Sequence, residues 1–284
     1  MYKEKKSRFR IILTAFSAGI IAILLSVSGC GQADSGSVEA GRTLEKGQKK
    51  LRIAAAASLK NIYENELIPR FEGEYPGVVL EGIYDSSGKL QIQIEEGMEV
   101  DIFMSAASKQ MESLEESGLV EEETRMDILE NKIVMIVPKG NKAGLKGFQD
   151  IGKAGIIVLG DPESVPAGQY AKESLTSLGL WDMIQDRVSF GTNVTEVLYQ
   201  VAEASADAGI VYATDAAALA DRVEIVEEAP QGSLSERVIY PIAIMKNTAY
   251  MEEAEHFLEF LSSEEAGEIW TAYGFSPINL YGHS

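Results

Sequence analysis

Residues 51–284 predict an α/β fold on mainly parallel strands, and three observations carry that expectation. Strand-like apolar runs alternate with amphipathic segments of helical period. Glycine and proline punctuate the helix ends, at Gly73, Pro76-Gly77, Gly97, Gly118 and Gly179. Four turns of small residues stand where an apolar strand runs into a helix: Ala55-Ala56-Ala57-Ser58, Asp85-Ser86-Ser87-Gly88, Val165-Pro166-Ala167-Gly168 and Gly191-Thr192-Asn193-Val194. A helix start exposes unpaired N–H groups and the positive end of the backbone dipole, so several such turns converging on one point would hold an anion.

Taken in order, strands are expected near Leu51–Ala56, Val78–Ile83, Asp101–Ser105, Ile133–Pro138, Ile156–Gly160, Ala208–Tyr212 and Val238–Met245, with helices in most gaps. The helix after Ser58 should stop at Gly73 and Pro76-Gly77, and Gly97, Gly118 and Gly179 stand where left-handed C-caps belong. Asn193 with Glu196 reads as a capping box, and Ser262 with Glu265 repeats the pattern before the last helix. The helix that Asn193 opens carries Val197, Leu198 and Val201 on one face. Asp215 is expected to start a helix and Asp101 to support a strand edge, neither touching a ligand.

The first 30 residues are of another kind. Lys3, Lys5, Lys6, Arg8 and Arg10 precede an apolar run from Ile11 to Val27, the layout of a secretory signal. By length alone that run is close to a membrane-spanning helix. The following Val27-Ser28-Gly29-Cys30 resembles a bacterial lipobox, which implies cleavage after residue 29 and a lipid on Cys30. Two acyl chains suffice for stable anchoring. Residues 30–50, rich in Ser, Gly, Gln and charge, read as a flexible tether with a reach of roughly 25 Å. Cys30 is the single cysteine, so the exported part is expected to contain no disulfide and no thiolate metal site.

Charge excludes some partners. The formal net charge is −19, and the signal segment holds five of the 25 basic residues but one of the 44 acidic ones, so the remainder is more acidic still. Nucleic acid and anionic lipid surfaces are poor partners for such a chain. A small anion has to be captured by local dipoles instead.

Several motifs then converge in order. Ala54-Ala55-Ala56-Ala57-Ser58-Leu59, Ser86-Ser87-Gly88, Val100-Asp101-Ile102-Phe103, Gly160-Asp161-Pro162 through Val165-Pro166-Ala167-Gly168-Gln169-Tyr170-Ala171, Gly209-Ile210-Val211-Tyr212 and Tyr273-Gly274-Phe275 together resemble the molybdate-binding proteins of ABC importers. The resemblance implies a two-lobed periplasmic binding protein fold of type II, with the ligand cleft between lobes joined by crossing strands. It implies residues 51–133 plus 241–284 as lobe 1 and 134–240 as lobe 2. It also implies an oxyanion, molybdate or tungstate, held by Ser58 and Ser87 through hydroxyl and backbone N–H, by Ala167 and Val194 through backbone N–H, and by the Tyr212 phenol; the spacing to Leu90 and Gly97 favours Ser87, with Ser86 the alternative to it. No cofactor and no separate metal site are expected, since the metal arrives only as the oxyanion. Permease subunits of an importer are the expected partners, and the protein is expected to be a monomer, extracytoplasmic and lipid-anchored to the cell membrane.

The residue chemistry agrees. A tetrahedral dianion presents only acceptors, so its pocket needs donors and no carboxylates. Plainer roles stand beside these: Ser58 and Ser87 as helix caps, Tyr212 as a core aromatic, and Lys60 and Lys89 as solvated helix-face lysines. Sulfate or phosphate is the alternative ligand. A secreted carboxylate-dependent hydrolase is the alternative class, though no acidic pair stands out and neither His256 nor His283 neighbours a plausible nucleophile.

Overall fold

The first strand, β1 (Lys49–Ala56), ends in three alanines because its last four residues are buried and neighbours crowd both of its sides. It begins two residues before the expected Leu51. The structure, a computed structural model, describes residues 47–278. The signal segment 1–29, Cys30, the tether as far as residue 46 and His283 lie outside the described residues.

Next come β2 (Val78–Asp85), β3 (Ile102–Met104) and β4 (Met126–Asn131), which join β1 in a first sheet. The chain passes at Lys132 into a second sheet made of β5 (Ile133–Pro138), β6 (Ile157–Gly160), β7 (Val188–Gly191), β8 (Ala208–Tyr212) and β9 (Val223–Glu228). It then returns to the first through β10 (Val238–Ile244) and β11 (Ser276–Pro277). Strand order is β11-β4-β10-β3-β1-β2 in one sheet and β7-β6-β8-β5-β9 in the other. Every residue of β6, β8 and β10 is buried, as their unbroken apolar runs require.

Two expectations need correction here. The sheets are mixed rather than mainly parallel: β1 pairs in parallel with β2 and β3, and β6 with β7 and β8, but β10 and β5 run against their neighbours. Each is the first strand after a passage between sheets, where the chain enters from the opposite end. The last helix is capped by Ser263, whose Oγ accepts from Ala266 N at 3.2 Å, and not by Ser262. The preceding helix, Met251–Leu261, runs on far enough that Ser262 is its C-cap and bonds back to Leu258 O.

Four strands were not among those expected. Strands β7 and β9 are sheet edges whose outward residues are exposed, so no buried pattern marks them. In β4 only Ile128 and Leu129 are consecutive apolar residues, and β11 is two residues long.

The helical run from Ala57 to Glu74 contains a π turn at Tyr63–Leu67. Pro69 explains it: with no N–H to donate and a ring that crowds the preceding turn, proline is accommodated where the turn widens. The N-cap read at Asn193 is present, with its Oδ1 accepting from Glu196 N at 3.0 Å. Gly97, Gly118 and Gly179 have φ of 102°, 69° and 71°, the left-handed turns expected after helices. An aromatic cluster of Tyr63, Phe71, Phe257 and Trp270 packs the helices on the outside of the first sheet, with ring centroids 4.9–6.1 Å apart.

Candidate functional site

The four strand-to-helix turns meet. Ser58, Ser87, Ala167, Val194 and Tyr212 all line one small cavity, together with Ser86, Ala106 and the small residues beside them. Ser58, Ser87 and Ala106 follow strands of the first sheet, whereas Ala167, Val194 and Tyr212 belong to the second. About 10 Å³ is open to the centre of a water-sized sphere, the scale of one water. Among the described residues no charged side chain lines it. A far larger groove of about 630 Å³ opens between helices Ser108–Glu116 and Pro166–Ser177, but it is lined by charged side chains of both signs, Lys109 and Lys172 with Glu163 and Glu173, and includes none of the four turns' expected donors.

Each turn has a local reason. After β1 the chain coils at Ala57–Leu59, placing the Ser58 hydroxyl 3.1 Å from the Tyr240 hydroxyl. After β2, Ser86 is the N-cap of helix Ser87–Glu95, and Ser87 is fully buried with its Oγ accepting from Ala106 N at 3.0 Å. After β6, Val165 precedes helix Pro166–Ser177, where proline sits at the one position that loses nothing by lacking an N–H. Gly168 lets that helix close on β6, since a Cβ there would stand 2.1 Å from Gly160 O. After β7, Asn193 turns the chain into helix Val194–Ala202. At the end of β8, Tyr212 is buried and donates its phenol proton to Ala106 O at 3.1 Å.

Neither Ser58 nor Ser87 caps its own helix, so the plain capping role does not account for them. Lys60 is exposed and Lys89 pairs with Asp85 at 3.3 Å, both outside the cavity. Asp101 supports the first sheet as expected, accepting from Arg52 N and from the Thr248 hydroxyl at 2.7 Å each. His256 stacks on Tyr75 at 5.2 Å. Among the described residues no group of His, Cys, Asp and Glu is arranged to hold a metal ion, and no helix is long and apolar enough to cross a membrane.

Burial sets the protonation of the site. It pushes the Tyr212 and Tyr240 phenols well above their usual range, so both remain donors at any physiological pH. Asp215, in the first turn of helix Ala213–Ala218, is raised to about 7 by burial, against a backbone hydrogen bond at Tyr212 that works the other way. Its Oδ2 has no partner. Glu196 is held low, first by the backbone N–H of Thr192.

Sequence reasoning missed the groups behind the cavity. The peptide of Ala106 is held on both sides, by Ser87 and by Tyr212. Tyr240 bridges Ser58 and Asn131, whose Nδ2 lies 3.3 Å from the Tyr240 hydroxyl and 2.9 Å from the Thr214 hydroxyl. Asn131 stands at the passage between the sheets, at the end of a strand with a single apolar pair, so no sequence signal marked it.

Two mixed sheets joined by two passages, with a donor-lined cavity where helix starts from both sheets meet, define a binding protein of the two-lobed kind. The chain belongs to the family of bacterial extracellular solute-binding proteins, whose model matches residues 51–276. It is 38% identical to YvgL of Bacillus subtilis, provisionally named an ABC transporter substrate-binding lipoprotein, over 92% of this chain and 96% of that one. It is 35% identical to the molybdate-binding protein ModA of Haemophilus influenzae, over 80% of this chain and 90% of the relative. Among solved structures, the periplasmic molybdate-binding protein of Azotobacter vinelandii superposes with a TM-score of 0.69 at 26% identity, covering 80% of this chain and 98% of that one. The periplasmic binding protein fold expected from sequence is therefore the fold observed. The family is one of solute-binding proteins rather than enzymes, and it places the chain outside the cytoplasm.

Proposed function

We propose that the chain is the substrate-binding component of an ABC importer and that it captures molybdate, with tungstate as a near-equivalent ligand. The observation that carries this reading is a cavity lined by hydroxyls and helix-start N–H groups, with no charged side chain among the described residues. The relatives named for molybdate support the choice among oxyanions. Ser58 and Ser87 donate hydroxyl and backbone N–H, Ala167 and Val194 donate backbone N–H, and Tyr212 turns its one proton from Ala106 O to the ligand.

Hydrogen bonds to a charged group contribute roughly 1.5–3 kcal/mol each, so the seven donors together supply roughly 10–21 kcal/mol, from which ordering costs of a few kcal/mol leave the about 8 kcal/mol of micromolar binding. Residues 51–132 with 238–284, which carry the first sheet, and residues 133–237, which carry the second, act as the two lobes that close over the ion, within three residues of the bounds expected from sequence, and permease subunits receive it. Cavity size selects among oxyanions, because sulfate has the same charge and acceptor geometry but a shorter reach. The protein works as a monomer tethered through lipid on Cys30, and Cys30→Ser should release it from the membrane fraction. Retention of a processed form there would exclude the anchor.

Calorimetry of the purified protein with molybdate, tungstate, sulfate and phosphate under matched conditions tests the ligand. Molybdate and tungstate should bind and the other two should not, and Ser58→Ala and Ser87→Ala should each weaken molybdate at least several-fold. Heat with sulfate alone, or unchanged affinity in both variants, would overturn the reading.

A further inference from the structure

We infer that Ser86 is a further oxyanion-binding residue, a hydroxyl donor that completes the first-sheet side of the cavity; this rests on the oxyanion reading above. Ser86 is the N-cap of helix Ser87–Glu95, the position where a serine hydroxyl ordinarily accepts from its own helix. It makes no such bond. Its carbonyl takes the Leu90 N–H at 3.1 Å, so the helix starts normally without the side chain. The residue is 3% exposed, it lines the cavity, and its Oγ is buried with no hydrogen-bond partner.

A buried hydroxyl that has given up water without replacement destabilises the fold, so its retention at a cavity wall points to a ligand that satisfies it. Its neighbour is differently employed. The Ser87 oxygen already accepts from Ala106 N, whereas the Ser86 oxygen has both its donor and its acceptor capacity unused.

The turn that carries Ser86 is also held in place before any ligand arrives. Its own N–H donates to Asp85 Oδ1 at 2.7 Å, and that carboxylate pairs with Lys89. The acid, at the end of β2, is thus occupied by a cation on the helix that follows. On the other side, Gly88 N–H reaches Ser164 O. A donor fixed in this way loses little freedom when the ion binds.

The test is Ser86→Ala, measured by calorimetry with molybdate and by thermal melting with and without it. Removing an unsatisfied hydroxyl should leave the ligand-free melting temperature unchanged or higher. It should weaken molybdate about ten-fold or more and shrink the ligand-induced rise in melting temperature. Molybdate affinity within two-fold of the parent protein would overturn the assignment, as would a variant that melts lower without ligand, which would mark the hydroxyl as structural. If the parent protein itself binds no tetrahedral oxyanion, the functional reading falls and this assignment falls with it.

Discussion

Gly88 donates its backbone N–H to the carbonyl of Ser164 at 3.0 Å, a main-chain bond between the start of a first-sheet helix and the loop after β6 in the second sheet. Only glycine fits there, because a Cβ would lie 2.4 Å from that carbonyl oxygen and 2.8 Å from the Ser164 Cα. The contact holds two of the cavity-lining turns together without a side chain. Gln110, on helix Ser108–Glu116, donates to Gln169 at 3.2 Å and makes a second link from a first-sheet helix to helix Pro166–Ser177.

Gly88→Ala should therefore oppose the approach of the two sheets while leaving each one intact. The expected result is molybdate affinity reduced about ten-fold or more, faster ligand release, and a ligand-free melting temperature close to that of the parent. Stopped-flow release and calorimetry read this directly. Parental affinity in the variant would show that the turn yields to a methyl group.

Tyr212→Phe removes one hydroxyl with two duties. The phenol bridges the sheets through Ala106 O, and the proposed mechanism hands its proton to the ion. The variant should lose about five-fold or more in molybdate affinity, and leaving Ala106 O without this donor should lower the melting temperature slightly. Loss of stability with unchanged affinity would return Tyr212 to the role of a core aromatic.

How much of this was legible in the sequence follows from what each residue does. The strand-to-helix turns were visible because small residues and helix starts are local chemistry, and all five expected positions line a single cavity. The strands β7 and β9 were not, because an edge with exposed residues has no buried face to mark it. The reversal of β5 and β10 is a property of the passage between sheets and leaves no mark in either strand's composition. The bridge from Ser58 through Tyr240 to Asn131 joins positions 182 and 109 residues apart, a pairing that no spacing along the chain announces.

Asp215 gives the protein a pH dependence of definite sign. Its pKa is raised from 3.8 to about 7 in the folded chain by burial, and its partnerless Oδ2 lies in a helix turn that follows Tyr212 directly. The folded state therefore keeps a proton that the unfolded chain releases near pH 4. Stability from this group is fully present below the unfolded value and is lost as pH rises through the window from about 4 to about 7. Tyr212 and Tyr240, which interact with Asp215, stay protonated throughout and do not offset the loss. Asp215→Asn should flatten that slope, so the stability difference between variant and parent should grow in the variant's favour from pH 4 to pH 7. Urea unfolding at matched ionic strength measures it, and taking the difference removes the common effect of the chain's many other acids. Parallel pH profiles for the two proteins would show that Asp215 ionises at its ordinary value in the folded state.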